Sequence, residues 1–156
     1  MPLPPSPPPA PRPSCSFKAL IGGGASAYPV ELSLPPNTTG VRVFAFSPAA
    51  PTNGSLALLA VHTRSSSDSG AAWPPIAVSL GGDTWPFASA ARVEYHLTSA
   101  NVSARHGPVL CNGELLAVDP ETNAPQPWQS LGVAAAAGSP LVLAPASVTF
   151  VTLLAQ

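Results

Sequence analysis

Apolar and polar residues alternate with a period of two along much of this chain, the pattern of a β-strand with one buried face. Clusters of Pro, Gly and Asn separate these runs and mark turns. The pattern predicts an all-β, antiparallel β-sandwich of about eight or nine strands with no helix. Strands are predicted at Val30–Leu34, Val41–Phe46, Leu56–His62, Ile76–Leu80, Arg92–Thr98, beside the Asn112-Gly113 turn and within Leu141–Val151.

The alternation also assigns side chains to faces. Leu56–His62 is almost continuously apolar, which predicts a central strand, and Val41–Phe46 is apolar on both faces, as expected where the outer face is partly covered. Two opposite faces are predicted for each later strand: Val93, Tyr95 and Leu97 against Glu94, His96 and Thr98, and Val148 and Phe150 against Ser147, Thr149 and Val151.

Several segments are predicted to lie outside the strands. Residues Met1 to Ser14 hold eight prolines, which predicts a disordered Pro-rich tail or linker over residues 1–16 and a sandwich domain over residues 17–156. A PxxP ligand is the less favoured interpretation of the tail. Arg64–Gly70 is predicted to be a loop, and Ala134–Ala137, bracketed by Gly and Pro, is also predicted to be a loop.

Length and composition exclude several classes of protein. At 156 residues the chain is too short for a (β/α)₈ barrel, which needs roughly 250. A net charge of −1 gives no basic field, so no nucleic-acid partner is expected. No run of 18 or more apolar residues is present, so no membrane span is expected.

The cysteines and the glycosylation sequons both bear on the cellular compartment of the protein, and each leaves two interpretations open. Cys15 and Cys111 either pair or remain free thiols. Asn37, Asn53 and Asn101 each begin an Asn-X-Ser/Thr sequon, which favours a secretory origin, although no signal peptide is visible in this chain. Chance occurrence is the alternative, because the sequence is rich in Ser and Thr.

Candidate chemistry is sparse. The carboxylates fall at turns or on outward strand faces and are expected to be solvated, and the three histidines lack ligand spacing, so no metal, cofactor or catalytic residue is predicted. Trp73, Trp85 and Trp128 each stand close to a proline. Such rigid indoles either stack on a sugar, anchor loops over the core or pack against a neighbouring domain.

The order of motifs in the second half of the chain resembles a known family. "EYHLT" at Glu94–Thr98, "NGELLAVD" at Asn112–Asp119 and "PLVLAPASVTFV" at Pro140–Val151 look like the C-terminal β-domain of glycoside hydrolase family 79, the heparanase-like and plant β-glucuronidase-like enzymes. The resemblance implies a non-catalytic sandwich that supports a (β/α)₈ catalytic barrel, in a protein of the secretory pathway with an extracellular or vacuolar/lysosomal location. Both catalytic glutamates of the family lie on that barrel, which is absent here, so no residue of this chain inherits a catalytic role.

Two departures from the family pattern qualify this expectation. Ser47 stands where the heparanase branch has a cysteine, so the chain is nearer to the plant-like branch. The family's sandwich also takes strand material from before the barrel, and a chain without it is expected to have an open sheet edge through which it self-associates. The alternative function is a free-standing carbohydrate-binding or adhesion module on a Pro-rich stalk.

Overall fold

The structure is a computed structural model that describes residues 26–28, 34, 38–47, 56–63, 73–81, 91–99, 108–117, 119, 121 and 128–153. Within these ranges the chain forms ten strands and one short 3-10 helix, Trp128–Leu131, and every strand pairing is antiparallel. The strands are β1 (Ser26–Tyr28), β2 (Val41–Ser47), β3 (Leu56–His62), β4 (Ile76–Val78), β5 (Arg92–Ser99), β6 (Val109–Cys111), β7 (Glu114–Leu115), β8 (Val133–Ala135), β9 (Leu141–Leu143) and β10 (Ser147–Leu153). The predicted all-β, antiparallel fold is confirmed.

The strands form one large sheet and one small sheet. The large sheet has the order β1-β2-β3-β10-β5-β6-β7, with β8 paired to β5 beside β6, and the small sheet is the pair β4-β9. Strand β3 lies between β2 and β10, as its continuous apolar sequence predicts. Among the described strands, β1 and β7 end the large sheet, so the expected open edge stays a prediction that depends on segments outside the described residues.

The register of β10 fixes which side chains share a face. Phe150 lies opposite Leu59 and Tyr95, and Thr149 lies opposite Ala60 and His96. We call the face that carries Thr149 the inner face and the face that carries Phe150 the outer face. The two sets of side chains predicted from the alternation of β5 and β10 are confirmed.

The inner face packs against the small sheet. Leu141 and Leu143 of β9 are fully buried against Leu58, Val151 and Leu153 of the large sheet. Full burial of one such side chain stabilises a fold by about 1.5–3 kcal/mol relative to exposure. This leucine-rich layer is therefore the main apolar core of the sandwich.

A short link carries the chain from the small sheet to the large one. Between β9 and β10 stand only Ala144, Pro145 and Ala146, and Ala146 has a left-handed backbone conformation with φ 49°. The carbonyl of Ala144 accepts hydrogen bonds from His62 Nδ1, at 3.1 Å, and from Ser147 Oγ. These two bonds offset the strain of the left-handed residue and hold the turn.

Among the described residues, the outer face is covered over only part of its width. One cross-strand row runs from Phe44 through Leu59 and Phe150 to Tyr95. Exposure falls from 43% at Phe44 to 8% at Phe150 and 7% at Tyr95. Leu131, at the end of the 3-10 helix, packs on the Tyr95 end of this row. The opposite end of the row faces solvent.

Two strand predictions need correction, and others are not tested. The predicted strand Ile76–Leu80 ends at Val78, and Val133–Ala135, predicted in part as loop, is strand β8. The sequence of β8 has no alternation, but the free edge of β5 supplies backbone partners, and pairing overrides the weak local preference. The Pro-rich tail, the Arg64–Gly70 loop and residues 30–33 lie outside the described residues.

We predict that Gly132→Ala destabilises the fold. A Cβ at this position would lie 2.5 Å from Val93 Cγ1 and 2.7 Å from Tyr95 Cε1. Overpacking of this kind costs about 1–3 kcal/mol, and urea unfolding would measure it. Gly81→Ala is the matched control, because a Cβ there meets nothing within 4 Å. Equal stability of the two variants would contradict the close approach.

Candidate functional site

A polar cluster lies at the border of the inner core, on strand β5. The alternation of β5 puts Arg92, Glu94 and His96 on the inner face, and the register places them opposite Leu153, Val151 and Thr149 of β10. Ser139, in the link between β8 and β9, completes the set. We call Arg92, Glu94, His96, Ser139 and Thr149 the polar cluster.

Arg92 binds the connection that leads into the small sheet. Its side chain is only 4% exposed, Nη1 donates to the Ser139 carbonyl at 2.6 Å, and Nη2 donates to Ser139 Oγ at 2.9 Å and to the Pro140 carbonyl at 3.2 Å. Leu141 of β9 follows directly. The guanidinium therefore anchors β9 on the large sheet, in a geometry that the planar, multi-donor head of arginine provides and lysine lacks.

Glu94 balances the charge of Arg92. Its Oε1 accepts from Arg92 Nε at 2.6 Å, its Oε2 accepts from His96 Nε2 at 2.8 Å, and its side chain is 12% exposed. The expectation that Glu94 is a solvated carboxylate is wrong. A buried arginine needs an opposite charge nearby, and the two-residue spacing on one strand face supplies it.

His96 extends the cluster to the central strand. Its Nδ1 lies 3.1 Å from Thr149 Oγ1, and Thr149 is fully buried. Since the other ring nitrogen binds Glu94, both nitrogens of His96 are engaged within the protein. The chain of contacts from Ser139 through Arg92, Glu94 and His96 to Thr149 thus links two strands, β5 and β10, and one loop.

This arrangement does not resemble the site of a glycosidase. Hydrolysis of a glycosidic bond requires two carboxylates separated by roughly 5 to 9.5 Å across the substrate, and the polar cluster contains one. Glu114 lies opposite Cys111 in the pairing of β6 with β7 and is therefore on the outer face. The Asp119 carboxylate accepts a hydrogen bond from the backbone N–H of Glu121 at 2.8 Å. The contacts of Glu94 with Arg92 and His96 stabilise the fold.

Asn112 bridges a gap in the ladder of β5. Strands β6 and β8 both pair with the same edge of β5, at Leu97–Ser99 and Arg92–Glu94. Between them, Asn112 Oδ1 accepts the His96 N–H at 3.0 Å, and Asn112 Nδ2 donates to the carbonyls of Glu94, at 2.9 Å, and Leu131, at 2.7 Å. The side-chain amide therefore takes the place of the missing strand residue.

The turn that holds Asn112 was predicted, but the bridge was not. Asn112 has φ 50° and Gly113 has φ 88°, the two positive values that favour Asn-Gly in a tight hairpin. The turn residue therefore has a second function in the sheet. The sequence signal for this function is weak, because it depends on β8, whose existence the sequence did not indicate.

Cys111 and Tyr95 lie together in the outer core. Cys111 carries a free thiol and is fully buried; its candidate partner Cys15 lies outside the described residues. Burial raises the pKa of the Cys111 thiol. Burial, with a smaller contribution from Cys111, also raises the pKa of Tyr95. Both groups stay neutral at physiological pH and act as core residues.

No metal centre is found in the described part of the chain. No group of three or more His, Cys, Asp or Glu side chains converges there. His62 is 2% exposed; its Nδ1 donates to the Ala144 carbonyl, and its Nε2 makes no hydrogen bond. A single imidazole nitrogen does not form a metal site. The described ranges also contain no helix long and apolar enough to cross a membrane.

The remaining sequence candidates are not brought together. Trp73 is partly buried just before β4, next to exposed Pro74 and Pro75, and Trp128 begins the 3-10 helix at the other end of the chain. Outside the described residues lie Trp85 and the sequon residues Asn37, Asn53 and Asn101. The tryptophans therefore stay candidates for sugar or domain contact, and the glycosylation sites stay predictions.

The uncovered half of the outer face is the candidate interface. It consists of one exposed and four partly buried apolar side chains of β2, β3 and β10, and we call this surface the open strip: Phe44, which is exposed, and Phe46, Leu59, Val61 and Val148. Arg42 is exposed at one end of it and lies opposite Val61. Apolar sheet surface of this kind marks sites of contact with other proteins or domains.

We predict that Arg92→Met strongly destabilises the fold, because Glu94 would remain buried without its main partner. Loss of one partner of a buried ion pair costs about 3–5 kcal/mol. The double variant Arg92→Met/Glu94→Gln should recover part of this loss, and urea unfolding of the four proteins of the cycle gives the coupling. Arg42→Met, at an exposed position, is the control and should change stability by less than about 0.5 kcal/mol. Additive effects of the two changes would contradict the pairing.

We predict that Asn112→Gly lowers stability by about 3 kcal/mol, because three hydrogen bonds are lost and their backbone partners are left unsatisfied. Glycine keeps the positive φ without strain, so the loss reports the amide alone. Asn112→Asp keeps the acceptor for His96 N–H but sets a carboxylate against two carbonyls, and it should be at least as unstable at neutral pH. Wild-type stability of Asn112→Gly in a denaturant titration would show that the bridge contributes nothing.

Comparisons of the sequence with protein-family models and with curated proteins find no match. The proposed function therefore depends on the sequence and structure of this chain.

Proposed function

We propose that this chain is a non-catalytic β-sandwich domain that packs through its open strip against a second domain and supports it. The single observation that carries the proposal is the half-covered outer face, where exposure rises to 43% at Phe44. On the inner face, the small sheet packs against the apolar residues of the large sheet. The apolar surface around Phe44 is therefore available for contact with another domain.

The chemistry of the polar cluster supports a structural role. Each of its side chains contacts another part of the same chain, and its one carboxylate is shared by Arg92 and His96. A hydrolytic site would require a second carboxylate at a fixed separation and a cleft between the two. The cluster is instead used to hold β9 on the large sheet.

We further propose that the second domain is a (β/α)₈ barrel of a heparanase-like, family 79 glycoside hydrolase that cleaves β-glucuronides with retention. The support is the resemblance in motif order: the sequence of β5, the Asn112-Gly113 turn and the sequence of β10 follow one another as in that family's C-terminal domain. In that setting the protein belongs in the secretory pathway, and the predicted sequons would be used.

Burial of the open strip would supply the energy of this contact. Apolar surface removed from water contributes about 25 cal/mol per Å², and stable interfaces bury at least about 1,000 Å² in total. Aromatic side chains at the centre of an interface contribute most. Phe44 and Phe46, which are two residues apart on the outer face of β2, are the residues that would anchor it.

The native size and activity of the protein test the proposal together. An antibody against the Glu121–Ser130 segment should detect a species above roughly 40 kDa in cells that make the protein, because a barrel adds roughly 250 residues. The immunoprecipitate should hydrolyse a β-glucuronide reporter, and the purified chain of 156 residues should not.

Two results would contradict this expectation. A single native species at the 15.7 kDa of this chain would indicate a free-standing module, and sugar binding by Trp73, Trp85 and Trp128 would then be the function to measure. Turnover of the reporter by the purified chain would show that it is an enzyme in its own right.

A further inference from the structure

The Asn112-Gly113 turn joins the two residue types between which an asparagine amide is lost most readily. Glycine has no Cβ to hinder a ring between its own nitrogen and the preceding side chain. The chain has five asparagines, and two of them, Asn53 and Asn112, stand before glycine. Asn53 lies outside the described residues. At Asn112 the structure shows both the turn and the surroundings of the amide.

The reaction at this turn needs only the turn and water. The Gly113 nitrogen gives its proton to hydroxide and attacks Asn112 Cγ. A bond from this nitrogen to Cγ forms, the bond from Cγ to Nδ2 breaks, and ammonia leaves with a proton taken from water. A water molecule then opens the succinimide ring at either of its carbonyl carbons. Position 112 becomes aspartate or isoaspartate, and the net change is water consumed for ammonia released.

Solvent reaches the turn from one side. Gly113 is exposed, and a Cβ built on it would meet nothing within 4 Å. Asn112 is half-buried, because its side chain lies back along the edge of β5. The turn therefore has an exposed residue that supplies the nucleophile, next to an amide that is held against the sheet.

Hydrogen bonds hold this amide by both of its polar atoms. Oδ1 of Asn112 accepts the His96 N–H at 3.0 Å, and Nδ2 donates to the carbonyls of Glu94, at 2.9 Å, and Leu131, at 2.7 Å. The Asn112 N–H also donates to the His96 carbonyl at 2.9 Å. Closure of the ring must rotate the amide toward Gly113 and release Nδ2, so the side-chain bonds have to break first. The closed bridge therefore protects the amide.

The product of the reaction does not restore the bridge. Aspartate has an oxygen in place of Nδ2, so the carbonyls of Glu94 and Leu131 would face an acceptor instead of a donor, which is costly for groups near the core. Isoaspartate adds a backbone atom to a turn of only two residues between β6 and β7. In either form, the segment that leads into β8 loses the side chain that ties it to β5.

We propose that Asn112 is a modification site, at which the amide is lost when the bridge between β5 and the 128–132 segment opens, and at which the product keeps the bridge from closing again. A transient local opening of this sheet edge is thereby converted into a permanent covalent change. This inference goes beyond the proposed packing role and needs no second domain.

The test follows deamidation of the full chain at mildly alkaline pH, both folded and unfolded in guanidinium chloride. Trypsin places Asn53 in peptide 43–64 and Asn112 in peptide 106–156. Fragmentation in the mass spectrometer separates Asn112 from Asn123 and aspartate from isoaspartate. In the unfolded chain both Asn-Gly sites should react at similar rates. In the folded protein Asn112 should react at least about tenfold more slowly than in the unfolded chain, because three hydrogen bonds must break first.

Glycine variants test whether the bridge is the gate. Gly132→Ala sets a Cβ 2.5 Å from Val93 Cγ1, so it should displace the segment that carries the Leu131 carbonyl and speed the reaction of Asn112 severalfold in the folded protein. Gly81→Ala is the matched control, because a Cβ there meets nothing within 4 Å, and it should leave the rate unchanged.

The stability of the product tests whether the change is permanent. The deamidated protein can be separated from the wild type by its additional negative charge. It should unfold at a lower urea concentration than the wild type, and its aspartate form should have the stability of Asn112→Asp.

Four results would overturn the proposal. Asn112 does not react in the unfolded chain; it reacts in the folded protein at least as fast as in the unfolded chain; Gly132→Ala folds but reacts at the wild-type rate; or the deamidated protein is as stable as the wild type. The comparison of folded with unfolded wild-type protein needs no variant, so it tests the protection even if Gly132→Ala fails to fold.

Discussion

The pairing of β10 with both β3 and β5 is the interaction on which the rest of this structure depends. Val151 and Leu153 of β10 belong to the inner core, Phe150 and Val148 to the outer core, and Thr149 to the polar cluster. Without β10, the β2-β3 pair and the β5-β6-β8 group would share no ladder. A single strand of 7 residues thus joins two halves of a sheet and contributes to every packed layer.

Side-chain hydrogen bonds then satisfy backbone groups that strand pairing leaves without partners. Asn112 fills the interval between β6 and β8 on the edge of β5, and Arg92 fixes the link into β9. Both act on carbonyl groups that would otherwise be left without donors near the core, where an unsatisfied group is costly. The small sheet is therefore held on the large sheet by apolar packing in its centre and by a guanidinium at its border.

Local patterns predicted a large part of this fold. Strand β3 and the two faces of β5 follow from residue periodicity alone, because burial on a sheet repeats every second residue. Strand β8 was missed, since Val133–Ala135 has no alternation and pairs only because β5 offers a free edge. The burial of Glu94 was also missed, because its partner Arg92 is held at the core border by Ser139 and Pro140, which are distant in sequence. The family resemblance remains a hypothesis about order and spacing.

The central position of β10 has a consequence for the synthesis of the protein. Strand β3 ends at His62 and β10 begins at Ser147, so translation at about 5–20 residues per second leaves β3 without its second partner for roughly 4 to 17 seconds. During that interval the unpaired backbone edges of β3 and β5 are open to pairing with other chains. The cell must therefore shield this nascent protein for longer than one in which neighbouring strands pair as they emerge.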